Sequence, residues 1–295
     1  MIPLLKDNYI TQTGEGDTFQ IKVEKIKRPF GNYYEESKLA AEEIYDLKEG
    51  PLHVMYSGGL DSEYVLSVFR SLGMDITPVI VRLNPNYNDH DIFYAFEYCK
   101  EHNIEPIIVD IDYKWFVESG LHLKTAIAMK CSKFHYVATG YAITQVDGSV
   151  LLGEGETHLA HNKKTNLWNL EIDEHDYVFP KLMEKFGIDG TAQFNRWRPG
   201  MLASSMLDPY YVELGNNRVP GHTTSNDGKI ELYNRNSPFK LKPRPKYTGY
   251  EIIQTAPDII HQKNWSEMKH RGKAWNWRVS IEYNDFVNNY IEQDV

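Results

Sequence analysis

Between about residues 50 and 145, short apolar runs alternate with amphipathic segments, and that alternation constrains the fold more than any other feature. His53-Val54-Met55-Tyr56 reads as a strand, with a helix from Asp61 to Leu72 after it. Ile76 to Leu83 is β-branched and reads as a second strand. Asp91 to His102 then carries Ile92, Phe93, Phe96 and Cys99 at helical spacing. Pro106 to Ile111 predicts a third strand, about Leu121 to Phe134 a helix, and Tyr136 to Thr139 a fourth strand. Strand-helix units of this length take right-handed crossovers and bury a parallel sheet. The predicted class is therefore α/β, a doubly wound and mostly parallel sheet.

The flanks are less regular. Phe19 to Val23 reads as a strand and Glu36 to Leu47 as a helix, an N-terminal extension of the same domain. Beyond about residue 150 the alternation stops. Leu167 to Ile172 reads as a strand, Pro180 to Phe186 as a helix, and Met201 to Leu214 as largely helical. Turn-rich sequence fills 216–228, with Asn-Asn, Pro-Gly and Asn-Asp-Gly, and a last helix is expected around Tyr283 to Ile291. The expected division is the strand-helix domain with its N-terminal extension over 1–150 and an irregular, partly helical C-terminal region over 151–295.

Composition removes several classes. A net charge of −9 argues against broad nucleic-acid binding, which relies on Lys and Arg to neutralise phosphates, although it leaves room for a local basic patch. No apolar run approaches the roughly 20 residues that span a bilayer. The segment MIPLLKDNYI lacks the features of a secretory signal, so a cytoplasmic protein is expected. Two cysteines, Cys99 and Cys131, make neither a disulfide framework nor a four-cysteine zinc site, and both read as ordinary buried thiols in helices. The oligomeric state is not legible.

Chemistry concentrates in Ser57-Gly58-Gly59-Leu60-Asp61-Ser62, which follows a strand and opens a helix. Two glycines permit a tight turn and close approach of backbone to ligand. The amides that follow lie at a helix N-terminus, where unpaired N–H groups and the dipole favour an anion. Ser57 and Ser62 add hydroxyls. Asp61 is out of place as a bare anion beside phosphates unless a magnesium ion lies between them. No Gly-Lys-Ser/Thr follows, so this is not the Walker type of phosphate loop. The plain structural alternative is a capped strand-turn-helix junction.

The segment resembles the PP-loop of the N-type ATP pyrophosphatases, which include asparagine, argininosuccinate, GMP and NAD synthetases and tRNA-thiolating enzymes. The resemblance covers about 90 residues and implies the adenine-nucleotide alpha-hydrolase-like fold. It also implies ATP and Mg2+ as cofactors, with Asp61 as metal ligand and catalytic residue and Ser57, Gly58, Gly59, Leu60 and Ser62 on the pyrophosphate. Val137-Ala138-Thr139-Gly140-Tyr141 is similar to the Ala-Thr-Gly-His segment of the tRNA-thiolating relatives, which places Thr139 and Gly140 in the nucleotide pocket; Tyr141 stands where they have His. Ile80-Val81-Arg82 lies where relatives hold adenine, and Arg82 is a candidate for a phosphate or the substrate, against a solvated or paired charge. Glu63 departs from the family's Ser or Thr and reads as a helix-start charge or a metal ligand.

Three further stretches carry open alternatives. Gly153-Glu154-Gly155-Glu156-Thr157-His158 is a loop over the site with a metal-binding or orienting carboxylate, or a surface hairpin turn. Arg196-Trp197-Arg198-Pro199-Gly200 grips an anion or forms a structural salt-bridge cluster. Lys240-Leu241-Lys242-Pro243-Arg244-Pro245-Lys246-Tyr247 is a solvated loop, a phosphate clamp or a nucleic-acid contact. The implied reaction adenylates a carboxylate, amide or ring carbonyl oxygen, releasing pyrophosphate, before ammonia, an amine or a sulfur donor displaces AMP. Without Met-Cys at the start, no N-terminal-nucleophile glutaminase is expected, and no cysteine follows Cys131. An amide- or amidine-forming ligase is therefore the leading expectation; thiolation and a non-catalytic nucleotide-binding module are the alternatives.

Overall fold

Val79 and Ile80 are adjacent in sequence, both fully buried, and face opposite sides of one sheet. Val54 and Met55, and Val150 and Leu151, divide in the same way between two hydrophobic clusters. A strand buried on both faces reads as a continuous apolar run. Hence the strands holding Val54-Met55 and Val79-Ile80 could be recognised without any polar alternation.

The computed structural model describes residues 1–2, 10–12, 19–21, 25–154, 158–173, 175–215, 226–245, 247–255 and 278–292. After a short antiparallel pair, β1 (Ile10–Gln12) and β2 (Phe19–Ile21), comes α1 (Tyr33–Leu47), closed at its start by a capping box between Asn32 and Glu35. The core then runs β3 (Leu52–Met55), α2 (Leu60–Ser71), β4 (Thr77–Asn84), α3 (Asp89–Glu101), β5 (Ile107–Asp112), α4 (Tyr113–Glu118), α5 (Leu121–Met129), α6 (Phe134–Ile143) and β6 (Ser149–Leu151). A hairpin, β7 (His158–Asn162) and β8 (Leu167–Asp173), precedes α7 (His175–Phe186), β9 (Gly190–Thr191), α8 (Pro199–Leu207), a further helical segment (Tyr211–Gly215), α9 (Asn226–Asn234), α10 (Glu251–Thr255) and β10 (Arg278–Glu282). Helical turns over Tyr283–Asp285 and Phe286–Tyr290 follow.

The main sheet has the order β5-β4-β3-β6-β9, every pairing parallel, and is flanked by helices. The chain is thus α/β, as the alternation of strands and helices predicts. Strand order reverses at β3, with β4 on one side and β6 on the other. In open parallel sheets, ligands bind outside the carboxyl ends of the strands at that point. The fifth strand comes from beyond residue 150, so residues on both sides of that position share one sheet. A separate antiparallel sheet has the order β10-β8-β7.

Several expectations need correction. Tyr136 to Thr139 is not a strand but the middle of α6. Phe134, Val137, Ala138, Ala142 and Ile143 are buried at helical spacing, and that packing overrides the β-leaning composition. The fourth core strand is β6, three residues long and too brief for its period to show. The expected helix from Leu121 to Phe134 stops at Met129, because Lys130 takes a left-handed conformation at φ 51°. Asn226-Asp227-Gly228 opens α9 instead of forming a turn, with Asp227 in the first helical turn where the dipole favours a carboxylate. The turn signals at 216–225 lie outside the described residues. Among the described residues no helix is long and apolar enough to cross a membrane.

Candidate functional site

β3 ends at Met55, and the chain turns through Tyr56, Ser57, Gly58 and Gly59 into α2. Gly58 sits at φ +86°, and a Cβ there would come within 3.0 Å of Asp91 O and Ala95 N in α3. A side chain is therefore excluded both by backbone conformation and by space. Gly59 is the N-cap of α2, and no side chain caps that end. The first intrahelical bond runs from Glu63 N to Gly59 O at 3.1 Å, so the preceding amides have no acceptor within the helix. The Gly59 amide is instead lightly engaged by Ser57 Oγ at 3.2 Å.

This turn lines a cleft of about 610 Å³, together with Ser57, Leu60, Asp61 and Ser62. The exit of β6 lines the cleft beside it. Gly153 packs so tightly on α2 that an added Cβ would lie 2.7 Å from Asp61 C and from Ser62 N. Glu154, next in sequence, lines the cleft; residues 155–157 lie outside the described residues. Lys133, His135, Tyr136 and Thr139 reach it from the start and middle of α6. Met55, Val79, Val81 and Leu83 form an apolar floor.

Two proposed site residues stand elsewhere. Arg82 is exposed and paired bidentately with Asp110 of β5, at 2.6 and 2.8 Å, and it does not line the cleft. Gly140 faces Met129 and Leu182, where a Cβ would meet Met129 Sδ at 2.3 Å; it lets α6 pack closely and is likewise not a cleft residue. Thr139 does line the cleft, though from a helix and not from a strand end.

Asp61 is held from the far half of the chain. Its carboxylate accepts from Tyr233 Oη at 2.6 Å and from Lys229 Nζ at 3.1 Å, both on α9. The Lys229 side chain is 3% exposed. Tyr233 stacks on Tyr64 of α2, with ring centroids 4.2 Å apart, which locks α9 against α2. Lys229 thus supplies positive charge beside Asp61, a part the sequence reading reserved for magnesium. Asp61 and Glu154 both line the cleft, but the described residues hold no group of three or more His, Cys, Asp or Glu side chains suited to a metal. That donor set fits a magnesium ion carried in on phosphate oxygens, which needs only one or two protein carboxylates.

Glu63 is neither a solvated helix-start charge nor a cleft residue. Its carboxylate pairs with Arg244 at 2.6 Å and accepts from Tyr56 Oη at 2.6 Å, with both charged side chains 7% exposed. Burial, then the adjacent Glu63 carboxylate, raises the Tyr56 pKa well above its ordinary value, so this hydroxyl stays a donor. Arg244 also donates to Gly58 O at 2.6 Å. The basic stretch therefore divides: Lys242 makes an exposed ion pair with Glu101 at 3.0 Å, Arg244 is buried against the loop, and Lys246 lies outside the described residues. The pair Trp197 and Arg198 is structural. Trp197 Nε1 donates to Glu43 at 2.9 Å, and Arg198 reaches Glu36 at 3.0 Å and also Glu43, joining α8 to α1.

Asp91 is a cleft carboxyl that sequence reasoning missed. It is pressed against Gly249, where a Cβ would come within 2.9 Å of its Oδ2. Burial raises its pKa from 3.8 to about 7, His90 opposing the rise and Glu251 adding to it. The folded protein thus retains a proton that an unfolded Asp releases near 3.9. Between about pH 4 and 7 the unfolded state binds fewer protons, so stability falls as pH rises. Asp91→Asn should abolish that fall, which urea denaturation at about pH 5 and pH 8 would register; an unchanged difference between the two pH values would disprove the assignment.

Comparison with known proteins adds little. No protein-family model matches the sequence, and no curated protein matches it. Among solved structures the chain is similar to an NMN synthetase from Francisella tularensis, with 13% identity, 84% of this chain and 98% of that one covered, and a TM-score of 0.30. The two superpose too loosely for the function of one to be read onto the other.

Proposed function

We propose that this chain is an ATP pyrophosphatase of the PP-loop type, which adenylates a carboxylate, amide or ring carbonyl oxygen and then lets an amine or ammonia displace AMP. One observation carries the reading. An uncapped helix N-terminus, entered through a glycine at φ +86°, opens into a cleft at the reversal point of a parallel sheet. Such an end attracts a polyphosphate through its amides and dipole.

The chain's own groups divide the work. Ser57, Gly58, Gly59, Leu60 and Ser62 cradle the β- and γ-phosphates, and Thr139 lines the same cleft. Asp61 would hold magnesium, and the ion would supply neutralisation of the charge that develops on the departing pyrophosphate. The acceptor oxygen attacks the α-phosphorus as the bond to pyrophosphate breaks. The amine then attacks the activated carbon, AMP leaves, and the amine gives up a proton. Orientation and charge neutralisation supply most of the rate.

Sulfur transfer through the protein's own thiols has less support. Cys99 and Cys131 are both buried and neither lines the cleft; burial lifts the Cys99 thiol to about 11, far from thiolate character. Asp61 also fastens α9 to α2, so its presence alone does not separate an enzyme from a binding module. Product analysis does. With ATP, Mg2+ and a panel of carboxylate, amide and ring-carbonyl acceptors, AMP and pyrophosphate should form; ADP and phosphate, or no turnover with any acceptor, would rule the reading out. Asp61→Asn keeps an acceptor for Tyr233 and should lower AMP formation by about 10²-fold or more with the fold intact. Asp61→Ala is the poorer test, because it also removes the acceptor of Tyr233 Oη and so loosens α9 from α2.

A further inference from the structure

We propose that Arg244 is a positioning residue that fixes the orientation of the Gly58–Gly59 peptide, and so decides whether the phosphate loop presents an N–H or a carbonyl to its ligand. The inference rests on the phosphate-loop reading above and adds to it a group from the C-terminal half.

A trans peptide directs its C=O and N–H to opposite sides. Gly58 O accepts from Arg244 Nη1 at 2.6 Å, on the protein side of the turn. The Gly59 N–H on the other end of that peptide therefore points the opposite way, where Ser57 Oγ accepts it at 3.2 Å. That distance is at the long end for an N–H···O bond, so an anion can replace the hydroxyl with little loss. Were the peptide to flip, the Gly58 carbonyl would turn its negative end toward the phosphates and the amide would be lost to them. Glycine permits such a flip, because it populates both signs of φ. The same freedom that lets Gly58 occupy φ +86° leaves the loop in need of an external restraint.

Arg244 is itself well restrained. Its second amino group pairs with Glu63 at 2.6 Å, its guanidinium lies 5.5 Å from the Tyr94 ring centroid, and Glu63 is held in turn by Tyr56. The planar fork engages a carboxylate and a carbonyl at fixed angles simultaneously; a lysine can neutralise Glu63 without reproducing that geometry.

The test is Arg244→Lys in the full chain, with calorimetric titration of magnesium pyrophosphate and, separately, of AMP, alongside thermal melting. The wild type should bind both ligands. The variant should keep its fold and its AMP affinity while its Kd for magnesium pyrophosphate rises about tenfold or more. Equal weakening of both ligands, or an unchanged pyrophosphate Kd, would overturn the positioning role and leave the ATP reading standing. A wild type that binds neither ligand would instead defeat the ATP reading itself. A crystal of the wild type soaked in magnesium pyrophosphate gives an answer that does not depend on the variant folding. Gly58 O should remain on Arg244 with the Gly59 amide turned to the ligand, and a flipped peptide in that complex would refute the proposal.

Discussion

Glu63→Ala should lower the unfolding free energy by about 3–5 kcal/mol, because it leaves the buried Arg244 guanidinium without its counter-charge. The pair is 7% exposed on both sides, so solvent screens it little. The substitution also removes the acceptor of the buried Tyr56 hydroxyl. Urea denaturation of the wild type, Glu63→Ala, Arg244→Leu and the double variant forms a cycle in which the two charges are removed singly and together. The double variant should recover much of the single loss, since an apolar replacement of a buried pair is often close to neutral. A loss below about 1 kcal/mol for Glu63→Ala would mean that water already reaches the pair.

Gly153→Ala should reduce AMP formation by about 10²-fold, the scale expected when reacting groups are displaced by about 1 Å. The added carbon would lie 2.7 Å from backbone atoms of Asp61 and Ser62. Backbone cannot rotate away as a side-chain tip can, so the exit of β6 and the start of α2 must separate, which widens the cleft that both line. Overpacking of this kind also costs about 1–3 kcal/mol of stability. Gly187→Ala is the control: at φ +64° with nothing within 4 Å, it strains the backbone far from the cleft and should leave the rate alone. A near-wild-type rate for Gly153→Ala would show that the contact between these two loops is not needed for turnover.

Both predictions rest on contacts between residues far apart in sequence, and this marks the boundary of what the chain reveals unaided. The strand over Ile76 to Leu83 was readable to within a residue of β4, and Pro106 to Ile111 to within a residue of β5, because short runs rich in β-branched residues and bounded by turns have few other uses. The turn at Ser57 to Ser62 was readable because strand, glycines and helix start are contiguous, so one short window contains the turn itself, though not the distant groups that restrain it. β6 was not readable: three residues are too few to show a period, and the neighbouring Tyr136 to Thr139 has the composition of a strand while packing as a helix. Arg82 stayed open between a ligand contact and a paired charge for a related reason. Its position at a strand end is visible in sequence, but the carboxylate of Asp110 that occupies it belongs to the adjacent strand.

What the sequence determined by itself was the local part: the doubly wound sheet, and a glycine turn whose bare amides favour an anion. Those follow from steric preferences and hydrophobic periodicity, which act over a few residues. Only the tertiary structure decided which charges meet: Lys229 with Asp61, Arg244 with Glu63 and Gly58, and Asp91 pressed against Gly249. A charge is worth little in water and much where water is excluded. Which ones matter was therefore fixed only when burial chose their partners.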